Sequence, residues 1–164
     1  MVNILHTKLL YPRATAQTLQ REGLITRLND GLRSGKAVTL ISAPAGYGKS
    51  VLGGLWVNQL TEPFTWLSLD AQDDDPSRFF TYLVAAMQQV DESLGWELEK
   101  MLRAGELPPE ETIISILVND TLQNDQRFML VLDDFHLIRN NTILAILATF
   151  VTNLPSMLHL AIIT

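Results

Sequence analysis

Lys49 and Ser50 stand behind two glycines in the stretch Ala43-Pro44-Ala45-Gly46-Tyr47-Gly48-Lys49-Ser50. These residue types at this spacing suit a phosphate chain. Glycine takes φ > 0 and carries no Cβ, so Gly46 and Gly48 let backbone N–H groups close around an anion. A helix beginning at the lysine adds unsatisfied N–H groups and a partial positive charge. Lys49 has the reach for β- and γ-phosphates, and the Ser50 hydroxyl is a ligand for Mg²⁺. The pattern is G-x-x-x-x-G-K-[ST] with Ala43 in place of the first glycine. Pro44 drives Ala43 towards extended backbone, so a strand running straight into the loop needs no glycine there. The Gly-Lys-Ser/Thr triplet alone arises by composition in roughly one chain in ten of this size, and an ordinary glycine turn is the competing reading. The flanks favour the nucleotide: a β-branched apolar run comes before the loop and a helical stretch after it. Pro44, Ala45, Gly46, Tyr47, Gly48, Lys49 and Ser50 are the candidate nucleotide contacts.

The second such stretch is Phe128-Met129-Leu130-Val131-Leu132-Asp133-Asp134. A wholly apolar run of this length reads as a central parallel strand, and carboxylates at its C-terminal end lie where open α/β sheets bind ligands. Asp133 is placed to hold Mg²⁺, directly or through water, and Asp134 to polarise an attacking water. The competing reading is a strand that ends in a solvated turn. Successive strand residues point opposite ways, so the two carboxylates share a job only if the backbone turns between them. Asp133, continuing the strand, is therefore assigned to the metal, and Asp134, at the turn, to catalysis. His136, two residues on, is either a γ-phosphate sensor or structural. The run Asp70-Ala71-Gln72-Asp73-Asp74-Asp75-Pro76 offers carboxylates for a metal. A helix start explains it better, with Asp75 as N-cap, Pro76 at the first helical position and the extra charges at the positive end.

The elements that must position these groups follow from periodicity. Ala37 to Ser42 reads as the strand that feeds the loop, and Val51 to Leu60 as the helix that leaves it. That helix carries Gly53 and Gly54, each costing about 1 kcal/mol relative to alanine, which suggests close packing on the sheet. Phe64 to Leu69 is a second strand. Helices are expected over Pro76–Val90, with Phe79, Tyr82, Leu83 and Met87 inward, and over Asp91–Gly105, with Leu94, Leu98, Met101 and Leu102 inward. Pro108 and Pro109 break the latter. Glu110 to Asn124 follows, with Ile113, Ile114, Leu117 and Leu122 periodic. Asn140 or Asn141 caps a helix over Thr142–Asn153, and Leu158–Thr164 is a further strand. That strand is apolar on both faces and is expected to leave an edge or face uncovered, which invites pairing with another chain. Upstream, His6 to Arg13 reads as an extended arm, and Leu24, Leu28 and Leu32 mark a helix before the first strand. The start of that helix, Leu19-Gln20-Arg21-Glu22, either lines a base pocket or forms a surface cap, and periodicity alone favours the cap. The expected fold is α/β: a three-layer P-loop NTPase core with a mainly parallel sheet of four strands and helices on both faces. The expected organisation is an arm and helix over 1–35 and the core over 36–164.

The 164 residues are 47% apolar and 18% charged, the profile of a folded chain with a real core. A net charge of −6 argues against gripping nucleic-acid phosphates with this segment. There is no cysteine, hence no disulfide and no thiolate metal site. No run of about 18 apolar residues exists to span a membrane, and no long apolar stretch opens the chain as a signal peptide would. A cytoplasmic location is the default expectation.

Taken together, the motifs resemble those of the signal-transduction ATPases with numerous domains (STAND), in the branch of MalT-like, LuxR-type transcriptional regulators. The carriers are Thr7-Lys8-Leu9 with Pro12-Arg13, the Arg21–Leu28 segment, the loop Ser42–Ser50, Trp66-Leu67-Ser68-Leu69-Asp70 with Asp74-Asp75-Pro76 and Phe79, and Leu130–His136. The wording Ala-Pro-Ala-Gly-Tyr-Gly-Lys is far more distinctive than a bare phosphate loop. The resemblance implies an ATP- and Mg²⁺-dependent regulatory switch that hydrolyses slowly and self-associates when bound to ATP and an inducer. It implies DNA contact only through a separate C-terminal domain. It gives Lys49 and Ser50 their phosphate and Mg²⁺ roles, Asp133 and Asp134 the acidic roles, and makes Arg21 a candidate adenine contact, against the reading from periodicity. Ser50 stands where threonine is commoner. The family continues past the last strand with a polar sensor and further strands, so the core is expected to be incomplete at its C-terminal end. A stand-alone ATPase or phosphoryl-transfer enzyme, or an inactive fragment, are the alternatives.

Overall fold

The computed structural model describes residues 3–13 and 21–164. Its centre is a four-stranded, wholly parallel sheet in the order β1-β4-β3-β2, built from β1 (Val38–Ile41), β2 (Phe64–Ser68), β3 (Phe128–Asp133) and β4 (Leu158–Ile163). The helices are α1 (Glu22–Arg33), α2 (Lys49–Val57), α3 (Pro76–Met87), α4 (Trp96–Arg103), α5 (Glu110–Gln123) and α6 (Asn141–Thr152). The fold is α/β with helices on both faces, as the sequence implies. The strand that ends at Asp133 lies one strand away from the strand of the phosphate loop, with β4 between them.

Alternation along the strands builds two cores. Phe128, Leu130 and Leu132 of β3, with Leu158 and Leu160 of β4, pack under residues of α3, α4, α5 and α6. Met129 and Val131, with Ala161 and Ile163, face Ile25 of α1 and Leu52, Trp56 and Val57 of α2. The chain crosses the sheet from β1 to β2 through α2 on one face. It returns from β2 through β3 to β4 on the other face, as a constant hand of crossover requires. The pairing Ser68↔Asp133 fixes the register at the C-terminal edge of the sheet.

Several expectations are corrected. The stretch His6–Leu9 of the arm is a 3₁₀ turn, not extended, and Lys8 and Leu9 within it are buried. The second glycine of α2 does not pack on the sheet. A Cβ on Gly53 would meet Ile163 at 2.6 Å and Trp66 at 3.0 Å, whereas one on Gly54 would lie 2.3 Å from the Pro12 carbonyl oxygen. Gly53 thus seats α2 on the sheet, and Gly54 seats the arm on α2. Helix α4 begins only at Trp96, because Gly95 before it is left-handed (φ 68°) and Asp91–Ser93 form a local turn. Leu24 and Leu122 face solvent rather than the core. Strand β4 is not an uncovered edge: it pairs on both sides, and helices cover both its faces, which explains why both are apolar. Among the described residues the open edge is that of β1, whose Leu40 is 62% exposed. The outer edge of β2 is packed by the 3₁₀ turn of the arm. Leu19 and Gln20 lie outside the described residues.

Candidate functional site

The phosphate-loop sequence folds as a tight turn between β1 and α2. Tyr47 N–H donates to the Pro44 carbonyl (3.4 Å), and Gly46 and Gly48 both take positive φ, 83° and 71°. Gly48 is the residue before α2, so the helix starts at Lys49 and aims its free N–H groups into the loop. The Lys49 ammonium folds back on the loop, donating to the carbonyls of Ala43 (2.6 Å) and Pro44 (3.2 Å). An anion placed at the loop would compete for that ammonium with two neutral acceptors, and a charged partner makes the stronger bond.

The Ser50 hydroxyl donates to Asp133 Oδ1 at 2.9 Å, joining residues 83 positions apart. Asp133 is 3% exposed. Burial pushes its carboxyl above the usual range, and the neighbouring Asp134 charge adds to this. The Ser50 hydroxyl, the Asp134 N–H and the Lys49 charge pull the other way. A hydroxyl and a carboxylate oxygen meeting in this way fit the protein share of a Mg²⁺ site, which takes few protein ligands and completes its shell with water and phosphate oxygens. Among the described residues no group of three or more His, Asp or Glu converges as a protein-only metal cage.

At Asp134 the backbone turns. Its φ of 56° and ψ of 34° are left-handed, and it is the one non-glycine residue with positive φ among those described. The turn that would let the two carboxylates share a job is therefore present, yet their side chains part. Asp133 points back to Ser50, while Asp134 is half-exposed, with His136 Nδ1 3.9 Å from its Oδ1. Left-handed backbone at a non-glycine residue is strained, and such strain clusters at functional sites.

Arg21 precedes α1, and its Nη2 lies 3.6 Å from where a Cβ on Gly48 would stand. With Leu24, Arg27 and Leu28 of α1 it walls a cleft of about 420 Å³, whose other side is Leu40, Tyr47 and Lys49. Helix α1 is held over this cleft by Ile25 and by the Trp56 indole, which donates to Asn29 Oδ1 at 2.9 Å. Arg21, Tyr47 and Lys49 thus share one cleft, whose lining does not include Ser50, Asp133 or Asp134; Ser50 meets Asp133, and the Asp134 side chain points elsewhere. Sequence reading missed Arg27 as a lining residue, although Arg21, Leu24, Arg27 and Leu28 follow helical spacing. A second cleft, of about 370 Å³ between the arm, α3 and α4, holds none of the predicted site residues.

The acidic run is structural. Asp75 caps α3 by accepting from Arg78 N–H at 2.9 Å, Asp70 caps the 3₁₀ turn Ala71–Asp74, and Asp73 is wholly buried against Lys8 and Arg78.

Over 161 residues, 98% of this chain, the sequence is 32% identical to the HTH-type transcriptional regulator MalT of Cronobacter sakazakii. It is 31% identical to the protein of the same name from Yersinia enterocolitica and 30% to that from Yersinia pestis. The chain spans 18% of the length of each of these relatives. No family model matches the chain.

Proposed function

We propose that this chain is the nucleotide-binding switch module of a MalT-like transcriptional regulator, binding ATP with Mg²⁺ and hydrolysing it slowly. The observation that carries this reading is the meeting of Ser50 with the buried Asp133 beside a loop whose glycines are left-handed and whose lysine sits among carbonyls. In this reading the loop from Pro44 to Gly48 and the start of α2 take the phosphates, and Lys49 exchanges its carbonyl partners for phosphate oxygens. Ser50 and Asp133 hold Mg²⁺, which supplies charge neutralisation on the phosphates. Asp134 orients the attacking water. Arg21 and the cleft under α1 receive the base, where Leu24, Leu28 and Leu40 supply apolar walls. The similarity to MalT regulators along nearly the whole chain supports the regulatory part of the reading. In that setting the module works in the cytoplasm, self-associates in its ATP state, and leaves DNA contact to a domain outside these residues. Among the described residues no helix is long and apolar enough to cross a membrane.

The test is calorimetric titration of the wild type and Lys49→Ala with ATP in the presence and absence of Mg²⁺. The wild type should bind ATP–Mg²⁺ in preference to bare ATP, and the variant should lose most of the affinity, because the phosphate charge loses its cation. Equal affinity for the two proteins would refute the assignment.

A further inference from the structure

We propose that the acidic turn after β2 is a clasp that positions the loop carrying Asp134 and His136. Asp74 is the positioning residue and Lys8 of the N-terminal arm its anchor. The chemical consequence rests on the nucleotide-hydrolysing reading above; the mechanical one rests on contacts alone.

Of the four carboxylates in the turn, three are spent locally or on the arm, and one reaches across to another strand's loop. Asp74 Oδ1 accepts from the backbone N–H groups of Arg139 (2.6 Å) and Asn140 (2.7 Å). These amides close the loop that starts at Asp134, and Asn140 is itself the N-cap of α6, accepting from Thr142 N–H at 2.9 Å. The loop is therefore fixed at one end by β3 and at the other by the buried Ile138, the start of α6 and this carboxylate oxygen, which alone bonds the two amides from another strand's turn. Between those ends lies the strained left-handed Asp134. Such a conformation persists only while its surroundings over-determine it.

The turn that presents Asp74 is in turn held by the arm. Asp73 is fully buried and both its oxygens are engaged: Oδ1 accepts from Arg78 Nε at 2.9 Å, and Oδ2 accepts from Asp70 N–H at 2.8 Å and from Lys8. Lys8 also donates to Asp70 Oδ2 at 3.0 Å. Lys8 and Arg78 lie over the Tyr82 ring, 4.5 and 5.1 Å from its centroid, and the Tyr82 hydroxyl bonds the arm backbone at Asn3 and Leu5. Two cations and two carboxylates balance, with Lys8 and Asp73 buried and Asp70 and Arg78 at its rim. Removing Lys8 leaves a buried carboxylate short of a partner, one residue from Asp74. A connected chain of contacts thus runs from the arm, through the turn, to the loop of the reacting groups.

The experiment compares the wild type with Asp74→Ala, Asp74→Asn and Lys8→Met. It measures single-turnover ATP hydrolysis, ATP–Mg²⁺ affinity, and hydrogen exchange at the Arg139 and Asn140 amides. Misplacement without loss of a reacting group is expected to slow hydrolysis by on the order of 10–100-fold in Asp74→Ala, with affinity unchanged and the two amides exchanging faster. Asparagine keeps the acceptor oxygen, so Asp74→Asn should recover most of the rate. Lys8→Met should raise exchange at the same amides, which it does not touch. Asp74→Ala hydrolysing at the wild-type rate, or losing affinity and rate in equal measure, would overturn the proposal. So would unchanged exchange at Arg139 and Asn140 in a folded Lys8→Met. If that variant fails to fold, the Asp74 pair alone decides. A wild type that binds no nucleotide would sink the functional reading first. A wild type that binds but does not hydrolyse ATP would sink the hydrolysis reading, and exchange at the two amides would still decide the clasp; a hydrolysing wild type no faster than Asp74→Ala sinks this inference alone.

Discussion

Replacing Asp133 by asparagine should push stability and ligand response in opposite directions. Asp133 Oδ1 accepts both the Ser50 hydroxyl (2.9 Å) and the Asp134 N–H (3.0 Å). An asparagine carbonyl oxygen in the same place keeps both bonds. The other carboxylate oxygen is not a buried atom without a partner, so the new amide nitrogen does not replace an orphan. What disappears is a charge that burial disfavours and the Asp134 charge repels. Relieving a functional site of this kind gains on the order of 0.5–2 kcal/mol, or about 2–4 °C in Tm per kcal/mol at this chain length. The sign with pH follows from linkage. The folded-state pKa is raised above the ordinary 3.8, so the native state keeps a proton that the unfolded state has lost. The wild type is therefore penalised progressively as pH rises through its folded pKa, and the advantage of the variant is present at pH 7 and gone below pH 3.8. Ligand should reverse the order. ATP–Mg²⁺ at a hundredfold excess over Kd raises the stability of a binding protein by about 2.7 kcal/mol, and the variant, lacking the metal carboxylate, should gain much less. Thermal melts at pH 7, with and without ATP–Mg²⁺, read both effects. A variant less stable than wild type without ligand, or stabilised as much by ATP–Mg²⁺, would refute the account of Asp133.

Asp134→Asn should retain ATP–Mg²⁺ affinity, because asparagine tolerates left-handed backbone, and slow single-turnover hydrolysis by roughly 10²–10⁴-fold; loss of binding here with binding retained in Asp133→Asn would reverse the two roles. Gly54→Ala gains about 1 kcal/mol of helix propensity but drives a Cβ to 2.3 Å from the Pro12 carbonyl, an overpacking cost of about 1–3 kcal/mol. It should melt lower than Gly53→Ala, whose nearest obstacle is the movable end of Ile163, and should speed hydrogen exchange in residues 3–13; the opposite order of melting would discount the seat of the arm. His159 is 1% exposed, its Nδ1–H donating to Lys36 O (2.8 Å) and its Nε2 accepting from the Thr39 hydroxyl (2.9 Å). Burial holds its pKa below the ordinary 6.5, so its contribution is fully present above pH 6.5 and lost as pH falls through the depressed folded value. His159→Gln should flatten the pH dependence of urea unfolding in that range, and an unchanged slope would count against it.

What the sequence disclosed of this site, and what it hid, divides along one physical line. Features set by neighbours in the chain were legible: the apolar run before Asp133, the Asp75 cap with Pro76 after it, and the glycines around Lys49. Features set by partners far along the chain were not. Lys8 stands in a stretch that reads as an extended arm, yet it is 7% exposed, paired with Asp73 65 residues away. Arg21 reads as a cap by periodicity, since periodicity reports burial and says nothing of a wall facing a cleft; only the resemblance singled it out. The convergence itself needed less than it would seem. In a wholly parallel sheet every strand delivers its C-terminal end to the same edge. The loop after β1, the acidic turn after β2 and the Asp133-Asp134 turn after β3 were therefore bound to share an edge once the strands were granted. Strand order then decides which of them touch. With β3 beside β2, the Ser68↔Asp133 register sets the acidic turn next to the loop that follows Asp133. With β4 between β1 and β3, Ser50 reaches Asp133 from the start of α2 rather than from a neighbouring strand. The same order gives Asp74 its amide partners on the far side of that turn, so a residue that reads as one of the extra charges at a helix start sits where it can hold the reacting loop in place.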